Sequence, residues 1–153
     1  MHEVGEYLRD KALESNADLF GRSAFNRYYY AAYLSARELL QELDPKWAAS
    51  SHKAIPDLME GIVVDRLKAV AKRQGEHGIV NSAYKAASEI ANVLRTAYAV
   101  RVVADYQPNN RVEFSNGTFK LVEHSAAEAA SWARRVDTPK GTLLRLYRKL
   151  GIV

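Results

Sequence analysis

The chain has 153 residues, 48% apolar and 26% charged, and no cysteine. That composition belongs to a folded domain rather than a disordered chain, and it excludes disulfides, iron–sulfur clusters and thiol nucleophiles. The net charge of +4 is uneven: residues 1–60 carry 7 Lys/Arg against 10 Asp/Glu, residues 61–153 carry 15 against 8, so the basic second part permits a polyanionic partner without requiring one.

Helical periodicity dominates the chain. Residues 4–19 read as a first helix, with Tyr7, Leu8, Ala12 and Leu19 on one side and Gly21 as its break. Ser23 then reads as the cap of a second helix running to Leu43, stopped by Asp44-Pro45. Its apolar residues Phe25, Tyr29, Ala32, Ala36, Leu40 and Leu43 form a buried arc. Residues 45–62 are irregular, and Pro56 allows only a short helix start. A third pattern covers 63–74, and the longest covers 79–106, ending before Pro108-Asn109-Asn110.

Residues 111–122 alternate in polarity around Asn116-Gly117, which predicts a β-hairpin lying against the helices. Ser125 and Glu128 form a capping-box pair for a helix to Val136. Thr138-Pro139 reads as the start of a separate last helix carrying Leu143, Leu144, Tyr147 and Leu150. The expectation is one domain over residues 1–153, an all-α helical bundle with a small β-hairpin appendage. No stretch approaches 18 apolar residues, so no membrane contact is expected. The opening Met1-His2-Glu3-Val4 lacks the basic-then-apolar order of a secretion signal, and the expected location is cytoplasmic.

Two patterns point to chemistry. On the long helix the apolar stripe Ile90, Leu94, Ala97 continues into Arg101 and then Asp105. These two lie one turn apart and face each other. The pair reads either as an internal ion pair or as a phosphate-binding arginine held by its aspartate. On the second helix, Arg27-Tyr28-Tyr29-Tyr30-Ala31-Ala32-Tyr33 places Tyr30 and Tyr33 with Arg27 and Arg37, away from the buried arc. That side reads either as a subunit contact or as a base-stacking surface. His52, in Ser51-His52-Lys53, is a surface or capping residue or a general acid–base group. No two histidines stand at ligand spacing, and neither a metal nor a cofactor is expected. Lys140 and Arg145, with Arg134 or Arg135, form either a solvated helix face or a phosphate-contacting rim. In that reading Lys140 sits at a helix N-terminus, where a cation is disfavoured.

Arg27-Tyr28-Tyr29-Tyr30-Ala31, Ser51-His52-Lys53 and Arg101-Val102-Val103-Ala104-Asp105-Tyr106 occur in that order. Together they resemble the small stand-alone prokaryotic branch of the HEPN superfamily. The resemblance implies an up-and-down helical bundle, usually a homodimer whose two arginines meet in a shared cleft. It also implies a role in defence or toxin–antitoxin systems, often beside a partner nucleotidyltransferase. Many such proteins are metal-independent endoribonucleases marked by an arginine followed, four to six residues on, by a histidine. Here Arg101 matches the arginine, and Asp105-Tyr106 stand where the histidine would be. The resemblance therefore implies a module that binds RNA, a nucleotide or a partner nucleotidyltransferase without catalysis. The alternative is an endoribonuclease using Arg101, Asp105, Tyr106 and His52 as its catalytic set. Arg27, Tyr30, Lys140 and Arg145 are the expected RNA contacts.

Overall fold

The computed structural model describes residues 1–153. The fold is an all-α helical bundle with a small antiparallel sheet, and 78% of the residues are helical. Helix α1 spans His2–Ser15, α2 Asp18–Leu43, α3 Ile55–Leu58, α4 Val64–Gln74, α5 Val80–Tyr106 and α6 Ala126–Lys149. Strands β1 (Glu113–Ser115), β2 (Thr118–Leu121) and β3 (His124–Ser125) lie between α5 and α6. The chain divides into two compact units, one of residues 1–32 and 96–133, the other of residues 33–95 and 134–153.

In the first unit, α1 ends at Asn16, which adopts a left-handed conformation (φ 49°). The second helix then begins at Asp18, five residues earlier than the expected cap at Ser23. Gly21 is not a break. It lies inside α2, and a Cβ there would stand 3.0 Å from both methyl groups of Val112. The glycine serves a close approach of the chain at Val112, not a turn. Gly5 of α1 plays the same part for Tyr28, whose ring a Cβ would meet at 2.7 Å. The core here is aromatic: Phe25 meets Phe119 edge-on at 5.8 Å and Trp132 at 6.5 Å.

The hairpin forms as expected. Glu113 to Ser115 pair with Lys120 to Thr118 across Asn116-Gly117. Both turn residues have positive φ, 50° and 71°, as a two-residue primed turn requires. A third strand was not legible: Leu121 and Lys120 pair with His124 and Ser125 across Val122-Glu123. Val122 takes φ 56° there, a region that costs a β-branched residue roughly 1–2 kcal/mol. That choice of residue hides the turn from a sequence reading.

In the second unit, the expected pair of C-terminal helices is one continuous helix with Pro139 inside it. Proline removes one backbone donor, and the helix continues because its apolar stripe does. Val136, Leu143, Tyr147 and Leu150 are all buried at spacings of seven, four and three. A break at Pro139 would put the two halves of that stripe out of phase. Polar ties also flank the proline, from Ser35 to Asp137 and from Lys140 to Glu38. Lys140 is thus mid-helix and ion-paired rather than at an N-terminus. Upstream, α3 runs into a wider turn at Met59–Val63. The buried Tyr147 hydroxyl donates to the Val63 carbonyl at 2.6 Å.

Two stability outcomes follow from these contacts. Tyr147→Phe leaves the Val63 carbonyl without that donor and is expected to lower unfolding stability by about 1–3 kcal/mol, read as a shifted urea midpoint. Val122→Gly relieves the left-handed valine and is expected to raise stability by about 1 kcal/mol in the same assay.

Candidate functional site

The tyrosine-rich stretch of α2 does not divide into a core side and a free side. Tyr28 is buried, and its hydroxyl donates to Glu6 Oε1 at 2.6 Å. Tyr29 is buried against Tyr98 of α5, with ring centroids 5.9 Å apart. Tyr33, expected to be outward, is also buried, and the His52 ring stacks on it at 3.7 Å. Each tyrosine meets a different neighbour, because successive helix positions turn by about 100°. Tyr30 is half-buried.

The last turns of α5 build a polar cluster in the first unit. Arg101 Nε lies 2.7 Å from Asp105 Oδ2, and the two side chains are 18% and 24% exposed. The expected pair therefore exists, partly buried rather than enclosed. The Nε–H makes no aligned hydrogen bond, so the attraction is mainly coulombic. Asp105 is fixed from the other side, since Asn26 Nδ2 donates to its Oδ1 at 2.6 Å. The Arg101 guanidinium also lies 5.4 Å from the centre of the Tyr106 ring, a cation–π contact worth roughly 0.5–2 kcal/mol. Burial works against the charge on Arg101. Asp105, then Tyr106 and Tyr30, outweigh it and push the guanidinium pKa up. The cation is permanent at any physiological pH.

Arg22 secures the end of the same helix. It donates to the carbonyls of Val103 at 3.0 Å and Asn110 at 2.6 Å. Its neighbour one turn back, Asp18, accepts the Val112 amide at 2.7 Å. One α5 carbonyl, that of Val103, and the following loop are thereby tied to one helical face of α2. Beside this clamp lies a cleft of about 350 Å³, lined by Leu19, Arg22, Ser23 and Asn26 of α2 and by Asp105 and Pro108.

Of the residues expected to carry function, Arg101, Asp105, Tyr106 and Tyr30 are brought together. Arg27 is in the same unit but exposed, its guanidinium 3.9 Å from Met1 Sδ. His52, Lys140 and Arg145 belong to the second unit. Arg145 bonds to its own helix, at Gly141 O and Thr142 Oγ1, both at 3.3 Å. Arg148 pairs with Glu42 and Lys149 with Glu76, so these three basic residues at the end of α6 are engaged internally. Asn26 and Arg22 were missed. A signal for them existed: Arg22, Asn26 and Tyr30 are spaced by four and form a polar stripe beside the apolar arc of the helix. No group of three His, Asp or Glu side chains is arranged to hold a metal ion.

No protein-family model, curated protein or solved structure matches the chain.

Asp105→Ala strips the carboxylate from two partly buried partners, and is expected to cost about 1–3 kcal/mol in chemical unfolding. Glu113→Ala breaks the exposed pair with Lys120 and is expected to change stability by less than about 1 kcal/mol. Equal losses would mean that the Asn26–Asp105–Arg101 chain is no stronger than a surface ion pair.

Proposed function

We propose that this chain is a HEPN-type RNA-binding module that contacts the RNA backbone through Arg101 and lacks catalysis of its own. The supporting observation is the state of Arg101. Its charge is held by Asp105, it lies over the exposed ring of Tyr106, and it stands in the last turns of the longest helix. A guanidinium held beside Asp105 and over the Tyr106 ring presents a fixed positive charge to a phosphate. Tyr106, 67% exposed, supplies an aromatic face on which an unpaired base can stack.

Cleavage by attack of a 2′-hydroxyl needs a group that takes up and returns a proton. The two histidines of this unit are engaged elsewhere. His2 contacts the Ala130 carbonyl at 3.0 Å, and His124 contacts Glu128 at 3.1 Å. Asp105 has one oxygen on Asn26 and the other against Arg101. A metal-independent endoribonuclease is the second reading, favoured by one observation: the Tyr106 hydroxyl group belongs to a side chain in direct contact with Arg101. The HEPN resemblance further suggests a homodimer, a partner nucleotidyltransferase and a place in a prokaryotic defence or toxin–antitoxin system.

Fluorescence anisotropy with labelled single-stranded RNA tests the first reading. Arg101→Ala is expected to weaken binding about tenfold or more and to lower the salt slope by about 0.7, the loss of one phosphate contact. Wild-type protein with total RNA in EDTA is expected to leave it intact. Cleavage by wild type and not by Arg101→Ala would establish the endoribonuclease instead. Light scattering is expected to report twice the 17.2 kDa chain mass.

A further inference from the structure

The cleft beside Arg101 has features that a backbone contact does not use. Leu19, on its wall, is 73% exposed, the most exposed of the large apolar side chains. Pro108 provides a second apolar surface. The polar side chains between them are unequal in what they offer. Asn26 Oδ1 is sealed from solvent and has no hydrogen-bond partner, so this amide cannot accept from a ligand. Arg22 is committed to two backbone carbonyls. The acceptor with capacity to spare is the Asp105 carboxylate. Each of its oxygens meets one internal partner, and an ionised carboxylate has about four lone-pair sites. At about 350 Å³ the cleft lies at the small end of ligand sites, which start near 300 Å³. That suits one flat ring system rather than a stretch of chain.

We infer that this cleft seats one nucleobase of the bound RNA and that it selects guanine. The guanine N1–H and exocyclic amine are parallel donors and match the two oxygens of one carboxylate. Adenine and cytosine present a single exocyclic amine beside a ring acceptor, and that acceptor would face the carboxylate. Uracil presents one N–H between two carbonyls. Adenine recognition by an asparagine needs an accepting amide oxygen, and the one on Asn26 is sealed. Leu19 and Pro108 cover apolar ring surface. The inference rests on the reading of Arg101 as the RNA contact. Arg101 and Asp105 touch, so a base held on the carboxylate keeps the backbone of the same strand, at a neighbouring nucleotide, near the arginine.

The test uses U-rich single-stranded RNAs that differ at one central position, carrying G, A, C or U. Their affinities are measured by anisotropy with the full chain. Wild type is expected to favour the G strand at least tenfold. Asp105→Asn replaces one acceptor by a donor and is expected to erase the preference. Leu19→Ser is expected to weaken the G strand more than the U strand. Should Asp105→Asn fail to fold by circular dichroism, Leu19→Ser carries the test, because Leu19 is exposed. Equal binding of all four strands by wild type, or a G preference kept in a folded Asp105→Asn variant, overturns the guanine site and leaves the Arg101 reading intact. Failure of wild type to bind any strand overturns the Arg101 reading itself.

Discussion

Between residues 24 and 36, helix α2 leaves only Arg27 and Leu34 exposed. They are seven apart, so the open face is a single narrow line along the helix. Every other direction must meet a neighbour. Tyr28 meets α1, Tyr29 meets α5, Phe25 meets the sheet and α6, and Tyr33 meets the segment carrying His52. A helix covered on nearly all sides cannot rotate to improve one contact without losing another. This is why Gly5 and Gly21 matter, since each lets a neighbour come closer than a side chain would allow.

The same constraint places the polar cluster. Arg22, Asn26 and Tyr30 share one line on α2, and that line adjoins the C-terminal turns of α5. The carboxylate of Asp105 is then shared between two helices: Asn26 holds it from α2, and Arg101 approaches it from its own helix. A charge in partial burial is costly unless it is paired and hydrogen-bonded. Here the pairing comes first, and it fixes the arginine beside Asp105 and the Tyr106 ring. The ion pairs of α6 differ in kind. Glu38, Glu42 and Glu76 neutralise Lys140, Arg148 and Lys149, and such pairs near the surface add little stability. They engage three of the fifteen Lys/Arg of residues 61–153.

Local rules succeeded where local forces decide and failed where packing overrides them. Asn116-Gly117 specifies its turn because both residues tolerate positive φ. Ser125 caps α6, with the Glu128 amide 3.1 Å from its hydroxyl. Only half of the capping box forms, because the Glu128 carboxylate turns to His124. Thr138-Pro139 has the local form of a helix start, yet a buried stripe on both sides of it keeps the helix whole. Gly21 has the local form of a break, yet it answers a contact with Val112, far along the chain. Val122 occupies a turn position that its side chain disfavours, so the third strand carried no turn signal.

The amino-acid sequence alone determined the all-α class, the long helix ending at Tyr106, the Asn-Gly turn and the facing of Arg101 and Asp105. All of these depend on residues within a few positions of one another, where periodicity and backbone preference act directly. Only the tertiary structure decided that Tyr33 is covered, that Lys140 is neutralised and that Asn26 grips Asp105. The partners in these contacts are 19 to 102 residues apart in the chain. Side chains so distant are brought together by the packing of whole helices, and no local pattern encodes which of them meet.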